Sequence, residues 1–245
     1  MLELLRPKRL QVQAQVQATR LTSPHLQRIT FGGPELAAFL QTDGIDTPAA
    51  WVKIFLPSGE SRAYTIRSVD HSAGTMDIEF MLHTAHGASG PAATWAAQAQ
   101  AGEQVVIAGP RDGGYALPDG ASWLLLAGDL TAMPAIQRIA ATLPPGLPAE
   151  IHVELASPDD RQVIDSTASL NVHWLPAGAM PGSALCLSLL NRPLPPGPGY
   201  IWIAGESASI RSLRNRYLQT LWLDAKRVSA KGYWKVGEAA HRDAA

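Results

Sequence analysis

The sequence predicts two halves of different architecture: an N-terminal antiparallel six-stranded β-barrel, then an α/β domain built on a parallel sheet. Three observations predict it. Up to about residue 111, short segments carry period-2 apolar patterns separated by Gly, Pro or Asp. Beyond residue 122, continuous apolar runs alternate with helical segments, as buried parallel strands do. The chain has 245 residues, enough for two small domains, and its 46% apolar and 17% charged composition is that of a globular protein. The boundary is placed at 116/117, giving domains 1–116 and 117–245.

The barrel elements follow in order. "LQVQAQVQATRL" alternates Val12, Ala14, Val16 and Ala18 with glutamines, a strand with one wet face. "HLQRITFGG", "WVKIFLP", "RAYTIRS", "TMDIEFMLH" and "EQVVIAGP" supply five more strands, with "PAATWAAQAQ" as a short helix between the last two. Closure removes the exposed edges of six short antiparallel strands. In the second half, "WLLLAG", "EIHVELAS", "NVHWLP" and "YIWIAG" read as strands. "TAMPAIQRIAATLP" and "ESASIRSLRNRYLQTLW" read as helices, "DDRQVI" as a short helix, and "RPLPPGPGY" as a loop. Right-handed crossovers then give a parallel sheet.

A formal net charge of −1 excludes an overall basic field for nucleic acid. The single cysteine, Cys186, makes no internal disulfide and holds no iron–sulfur cluster; it reads as a core residue. No stretch approaches the length of a membrane span, and the N-terminus has no apolar leader-like segment. The expectation is a soluble, cytoplasmic, monomeric protein without membrane contact and without a metal site.

Two patterns carry chemistry. "SRAYTIRS" places Arg62, Tyr64, Thr65, Arg67 and Ser68 in eight residues, an unusual density of cation, ring and hydroxyl for one strand. "LLLAGDLTAMPAI" and "WIAGESASI" each run an apolar strand through Ala-Gly-acid into a helix. Glycine permits close backbone approach and a helix start offers free N–H groups, so the repeat favours a nucleotide cleft at the carboxyl ends of the strands. No G-x-G-x-x-G is present.

The octet fits R-x-Y-[ST]-x-x-S, and with "VKIFLP", "IEFMLH", "GPAATWA", "AGDLTAMPAI", "WIAGESASIRSLR" and "GYWKVG" in that order the chain resembles the siderophore-interacting proteins. These are ferric-siderophore reductases within the ferredoxin-reductase-like flavoproteins. The likeness runs from roughly residue 8 to 238. It implies FAD, with NADPH or NADH as electron donor and a ferric siderophore, most simply an anionic one, as substrate. It implies that Arg62 grips the flavin diphosphate, Tyr64 packs on the ring and Thr65 lies near its reactive edge. It places His83 at the flavin, and Gly90, Pro91, Ala92 and Thr94 at a phosphate-facing helix start. Gly128, Asp129, Thr131, Gly205 and Glu206 then meet the nicotinamide nucleotide, and Trp234 or Tyr233 covers the flavin. Lys53, Arg111 and Lys235 make a basic substrate site.

The family pattern is not fully kept: Ala93 and Leu130 stand where serine and glutamate are usual. No side chain is required as acid, base or nucleophile, because flavin carries the electron chemistry. A general flavin or ferredoxin-type NADPH reductase, or a siderophore-binding flavoprotein without turnover, stays open at this point.

Overall fold

A computed structural model describes residues 10–82, 90–238 and 241. The N-terminal barrel is formed by β1 (Gln11–Ser23), β2 (Leu26–Gly32), β3 (Trp51–Phe55), β4 (Ser61–Asp70), β5 (Thr75–Met81) and β6 (Gln104–Arg111). It closes in the order β1-β2-β5-β4-β3-β6, every pair antiparallel. Val12, Ala14 and Val16 point inward as the alternation predicts, but Ala18 is exposed. The pairing of β1 with β2 slips between Val16 and Ala18, and a bulge of this kind turns the following side chain to the other face. Ile29, Phe31, Val52, Ile54, Ile66, Ile78, Phe80 and Ile107 fill the interior with no solvent exposure.

Two helices serve the barrel. α1 (Pro34–Phe39) buries Leu36 and Phe39, and α2 (Pro91–Gln98) buries Ala92, Ala93 and Ala96. Alanines on α2 let it lie close to the barrel, while Trp95 reaches in to stack on Phe31 at 6.5 Å.

The second domain is a five-stranded parallel sheet, order β11-β10-β7-β8-β9, from β7 (Trp123–Asp129), β8 (Pro148–Leu155), β9 (Ser169–Pro176), β10 (Gly199–Glu206) and β11 (Val228–Trp234). Every residue of β7 and of β10 is buried, which explains their unbroken apolar sequence. α3 (Met133–Ala141) covers one face, and α4 (Ser183–Leu189) with α5 (Ser207–Asn215) covers the other. The predicted helix at "DDRQVI" is only a single turn, Pro158–Asp160, because the Asp160 side chain turns back to cap Ser157. The long C-terminal helix ends at Asn215 and continues as a wider turn over Arg216–Thr220. Half-buried Cys186 lies on α4, an element the sequence reading does not contain, and packs at the rim of the apolar cluster beneath it. Among the described residues no helix is long and apolar enough to cross a membrane.

The two domains share a dry seam. Leu26 and Ala49 from the barrel belong to the same apolar cluster as the α3 face of the sheet. Asp160, fully buried, accepts from Ser23 Oγ at 2.8 Å and His25 N at 3.1 Å, and sits 2.8 Å from His25 Nδ1. Arg138 of α3 donates to the carbonyls of Ile66 and Ile45 at 3.3 and 3.2 Å. A buried polar group left without its partner costs about 1–3 kcal/mol, so these bonds fix the docking angle as well as the contact. Asp160→Ala orphans groups on both domains. It is expected to lower the unfolding free energy by about 3 kcal/mol in denaturant titrations, and a loss within about 0.5 kcal/mol would show that the seam does not rest on Asp160.

Candidate functional site

Residues directly opposite in an antiparallel pair share a face. On β4, Arg62 faces Ile54 and Tyr64 faces Val52, so both belong to the barrel-lining side. Thr65, Ala63 and Ser61 face Trp51, Lys53 and Phe55 on the outer side. The single strand therefore serves two surfaces.

On the lining side, the Tyr64 ring leans on Phe80 at 4.2 Å, and Phe80 meets Trp95 of α2 at 5.6 Å. Burial raises the Tyr64 phenol well above its ordinary pKa, against the opposing field of Arg62. The Arg62 guanidinium is half-buried and donates through Nη1 to the Ser61 carbonyl at 2.9 Å. It has no carboxylate partner among the described residues. At the start of α2, Gly90 is followed by Pro91, no side chain caps the first turn, and no acid lies within it. Among the described residues, a Cβ at Gly90 would meet nothing within 4 Å. A guanidinium without an ion-pair partner among the described residues, a half-buried ring and a helix start without a side-chain cap suit a diphosphate joined to an aromatic system. The residues present fit FAD. His83 lies outside the described residues.

On the outer side, the structure brings Lys53 and Arg111 together on the neighbouring strands β3 and β6. The Arg111 guanidinium lies 4.6 Å over the Trp51 ring, and Lys53 Nζ 5.2 Å from the Phe55 centroid. Arg111 Nε is buried without a hydrogen-bond partner, and neither cation has a carboxylate partner among the described residues. Lys235 differs, because its ammonium is ion-paired with Glu238 in the turn after β11. Lys231, which sequence reasoning missed, lies over Gly114: a Cβ there would stand 2.9 Å from the lysine Nζ. Its two-residue spacing from Tyr233 on β11 was the available signal.

At the carboxyl end of the sheet, Asp129 is engaged from four directions. Oδ1 accepts from Thr131 N at 2.9 Å and from Thr131 Oγ1; Oδ2 accepts from Glu206 N at 3.0 Å and Trp234 Nε1 at 2.8 Å. Burial raises its pKa against these four donors. The two glycines of the repeated Ala-Gly-acid pattern serve this packing. A Cβ at Gly128 would lie 2.5 Å from the Ala204 carbonyl oxygen, and one at Gly205, where φ is +148°, 2.6 Å from Asp129 Oδ2. Glu206 caps α5 by accepting from Ser209 N at 2.9 Å. Glu154, not singled out in the sequence, accepts from Gly182, Ala184 and Leu185 amides at the start of α4. Buried carboxylates thus occupy amides at helix starts that the sequence suggested for phosphate. Burial pushes the Tyr233 phenol on β11 up to about 12, against the lowering influence of the nearby Thr65 side chain. The outer face of β4 and the end of the sheet meet there.

The chain is similar to proteins of one family along nearly its whole length. Residues 15–62 and 59–114 match the siderophore-interacting FAD-binding domain, and residues 121–237 match the siderophore-interacting protein family. A Mycobacterium tuberculosis protein of uncharacterized function is 30% identical, covering 91% of this chain and 89% of its own. The ferric vibriobactin reductase ViuB of Vibrio cholerae is 28% identical over 91% of this chain and 90% of its own. The crystal structure of a siderophore utilization protein from T. fusca superposes with a TM-score of 0.83 at 27% identity, covering 96% of each chain. The fold extends to the ferredoxin reductase of carbazole 1,9a-dioxygenase, TM-score 0.66 at 16% identity over 92% of this chain and 70% of that one.

Asp129→Asn replaces an acceptor oxygen with an NH₂ that faces donors. The variant is expected to lose about 2–4 kcal/mol of stability and to shift the tryptophan emission as Trp234 is released. Unchanged emission and unfolding midpoint would refute the four-donor arrangement.

Proposed function

Because the chain belongs to the siderophore-interacting protein family, we propose that it is an FAD-dependent ferric-siderophore reductase, drawing electrons from NADPH or NADH and passing them to siderophore-bound Fe(III). The observation that carries this reading is the two-sided strand β4. Arg62, without an ion-pair partner among the described residues, lies on one side, and Lys53 and Arg111, likewise without one, on the other. The likeness to a named ferric vibriobactin reductase supports it.

In this account residues 1–116 form the flavin-binding unit and 117–245 the NAD(P)-binding unit. Arg62 clamps the diphosphate through its planar fork, and Gly90, Pro91, Ala92 and Thr94 shape the helix start beside it. Tyr64 packs on the ring system from the lining side of β4, and Thr65 and Trp234 approach its edge from the side of the sheet end. Bound FAD supplies the change from two-electron to one-electron transfer. Gly128, Asp129, Thr131, Gly205 and Glu206 fix the turns against which the nicotinamide nucleotide docks, Asp129 by holding them rather than by donating. One NAD(P)H serves two ferric ions and releases one proton, and no side chain acts as acid, base or nucleophile. Lys53 and Arg111 raise the local concentration of an anionic ferric complex. Lys235, already paired with Glu238, contributes least. Ferrous iron is then held less firmly than ferric by hard oxygen donors, which favours release. The working protein is a cytoplasmic monomer.

The test is anaerobic: flavin-loaded protein, NADPH or NADH, ferric complexes of different charge, and a chromogenic chelator for ferrous iron. Trapped ferrous iron supports the proposal, and flavin bleaching without it points to a general reductase. Lys53→Ala and Arg111→Ala are expected to lower kcat/KM for anionic complexes about tenfold, with little change for neutral ones. Equal losses on both would remove the steering role.

A further inference from the structure

We infer that Glu150, His152 and His173 form a binding site for one divalent first-row transition ion, on the sheet face beneath α4. The inference does not depend on the reductase activity. Glu150 and His152 lie two residues apart on β8 and share a face, and His173 is opposite His152 in the register of β9. On the β7 side their partners are apolar, Leu125 and Ala127, while Asn171 faces Glu150 from β9. His152 is fully buried, and Glu150 and His173 are half-buried.

The polar atoms are arranged for a ligand that is not part of the chain. The His152 and His173 rings stack at 4.3 Å, 16° from parallel. Nε2 of each is buried without a hydrogen-bond partner, and His152 has no solvent exposure at all. The nearest acceptor to His152 Nε2 is Glu150 Oε2 at 3.6 Å, too long for a hydrogen bond. Leaving two such nitrogens unsatisfied costs about 1–3 kcal/mol each. One ion would satisfy both. A ligand atom from each of the three residues lies within 4.8 Å of the others. Metal bonds of about 2.0–2.2 Å call for donor atoms about 3 Å apart, so binding turns the two rings out of their stack until both Nε2 lone pairs converge on the ion.

The surroundings favour coordination. Ser188 Oγ lies 3.0 Å from His152 Nδ1, and when Nδ1 donates there, Nε2 presents its lone pair inward. Arg192 holds Glu150 through Nε at 2.8 Å and Nη2 at 2.5 Å, orienting the carboxylate as a second partner does around bound metals. It also adds positive charge, which selects for moderate rather than very tight binding. A cleft of about 210 Å³ reaches Glu150, Asn171 and Arg192, so the carboxylate is the member of the group accessible from outside. Two imidazoles and one carboxylate suit zinc or ferrous iron and exclude calcium and magnesium as preferred ions.

The test uses the tag-free chain, stripped with a chelator and dialysed against Co²⁺ or Zn²⁺. One equivalent is expected to bind, and Co²⁺ should develop a visible d–d absorption band. His173 lies on an edge strand and Glu150→Gln is isosteric, so His173→Ala and Glu150→Gln leave the core intact. Each is expected to weaken binding at least about tenfold. No uptake by the wild-type chain would overturn the inference. Undiminished uptake by both variants, or loss of uptake in a His241→Ala control, would overturn it equally.

Discussion

The carboxylate of Asp129 ties together the ends of three neighbouring strands of the parallel sheet, β7, β10 and β11. It stands at the end of β7 and receives donors from the next turn, from the start of α5 and from the last residue of β11. Carboxylate oxygens accept up to about four hydrogen bonds, and here four donors reach the group in a buried setting. That geometry demands glycine at 205, since any Cβ there would press on the carboxylate. It also sets Trp234, and beside it Tyr233, whose phenol lies near the Thr65 side chain across the domain seam. The sheet end thus stands beside the outer face of β4.

That placement explains why one short strand can serve two tasks. Period-2 alternation sends Arg62 and Tyr64 to the barrel lining and Thr65 to the outside, among Lys53, Trp51 and Arg111. An anion gripped on the first side and an anionic complex drawn to the second would be separated by little more than the strand itself. Burial raises the phenols of both Tyr64 and Tyr233. The positive charge of the region is that of its guanidinium and ammonium groups.

Much of this was legible in the sequence because it is written in local patterns. Alternation of Val12, Ala14 and Val16 announces β1, and unbroken apolar runs announce β7 and β10. Ala18 was misplaced because a bulge carries no signature in side-chain polarity. α4 was missed because "SALCLSLL" is equally apolar as a core strand or a buried helix. The motif residues Arg62, Tyr64 and Thr65 stand within four positions and could be read together. The engagement of Asp129 could not, since two of its donors come from 77 and 105 residues away. The same distance in sequence hid Asp160, whose partners Ser23 and His25 lie 137 and 135 residues earlier.

The central claim is that Arg62 and the start of α2 recognise a flavin by its diphosphate. The most direct measurement compares the dissociation constants of FAD and of riboflavin, which lacks phosphate, for the flavin-free chain and for Arg62→Ala. Fluorescence quenching reads both. The account predicts that FAD binds at least about a hundredfold more tightly than riboflavin, and that Arg62→Ala removes most of the difference. Equal affinity for the two flavins, or no binding of either, would contradict it.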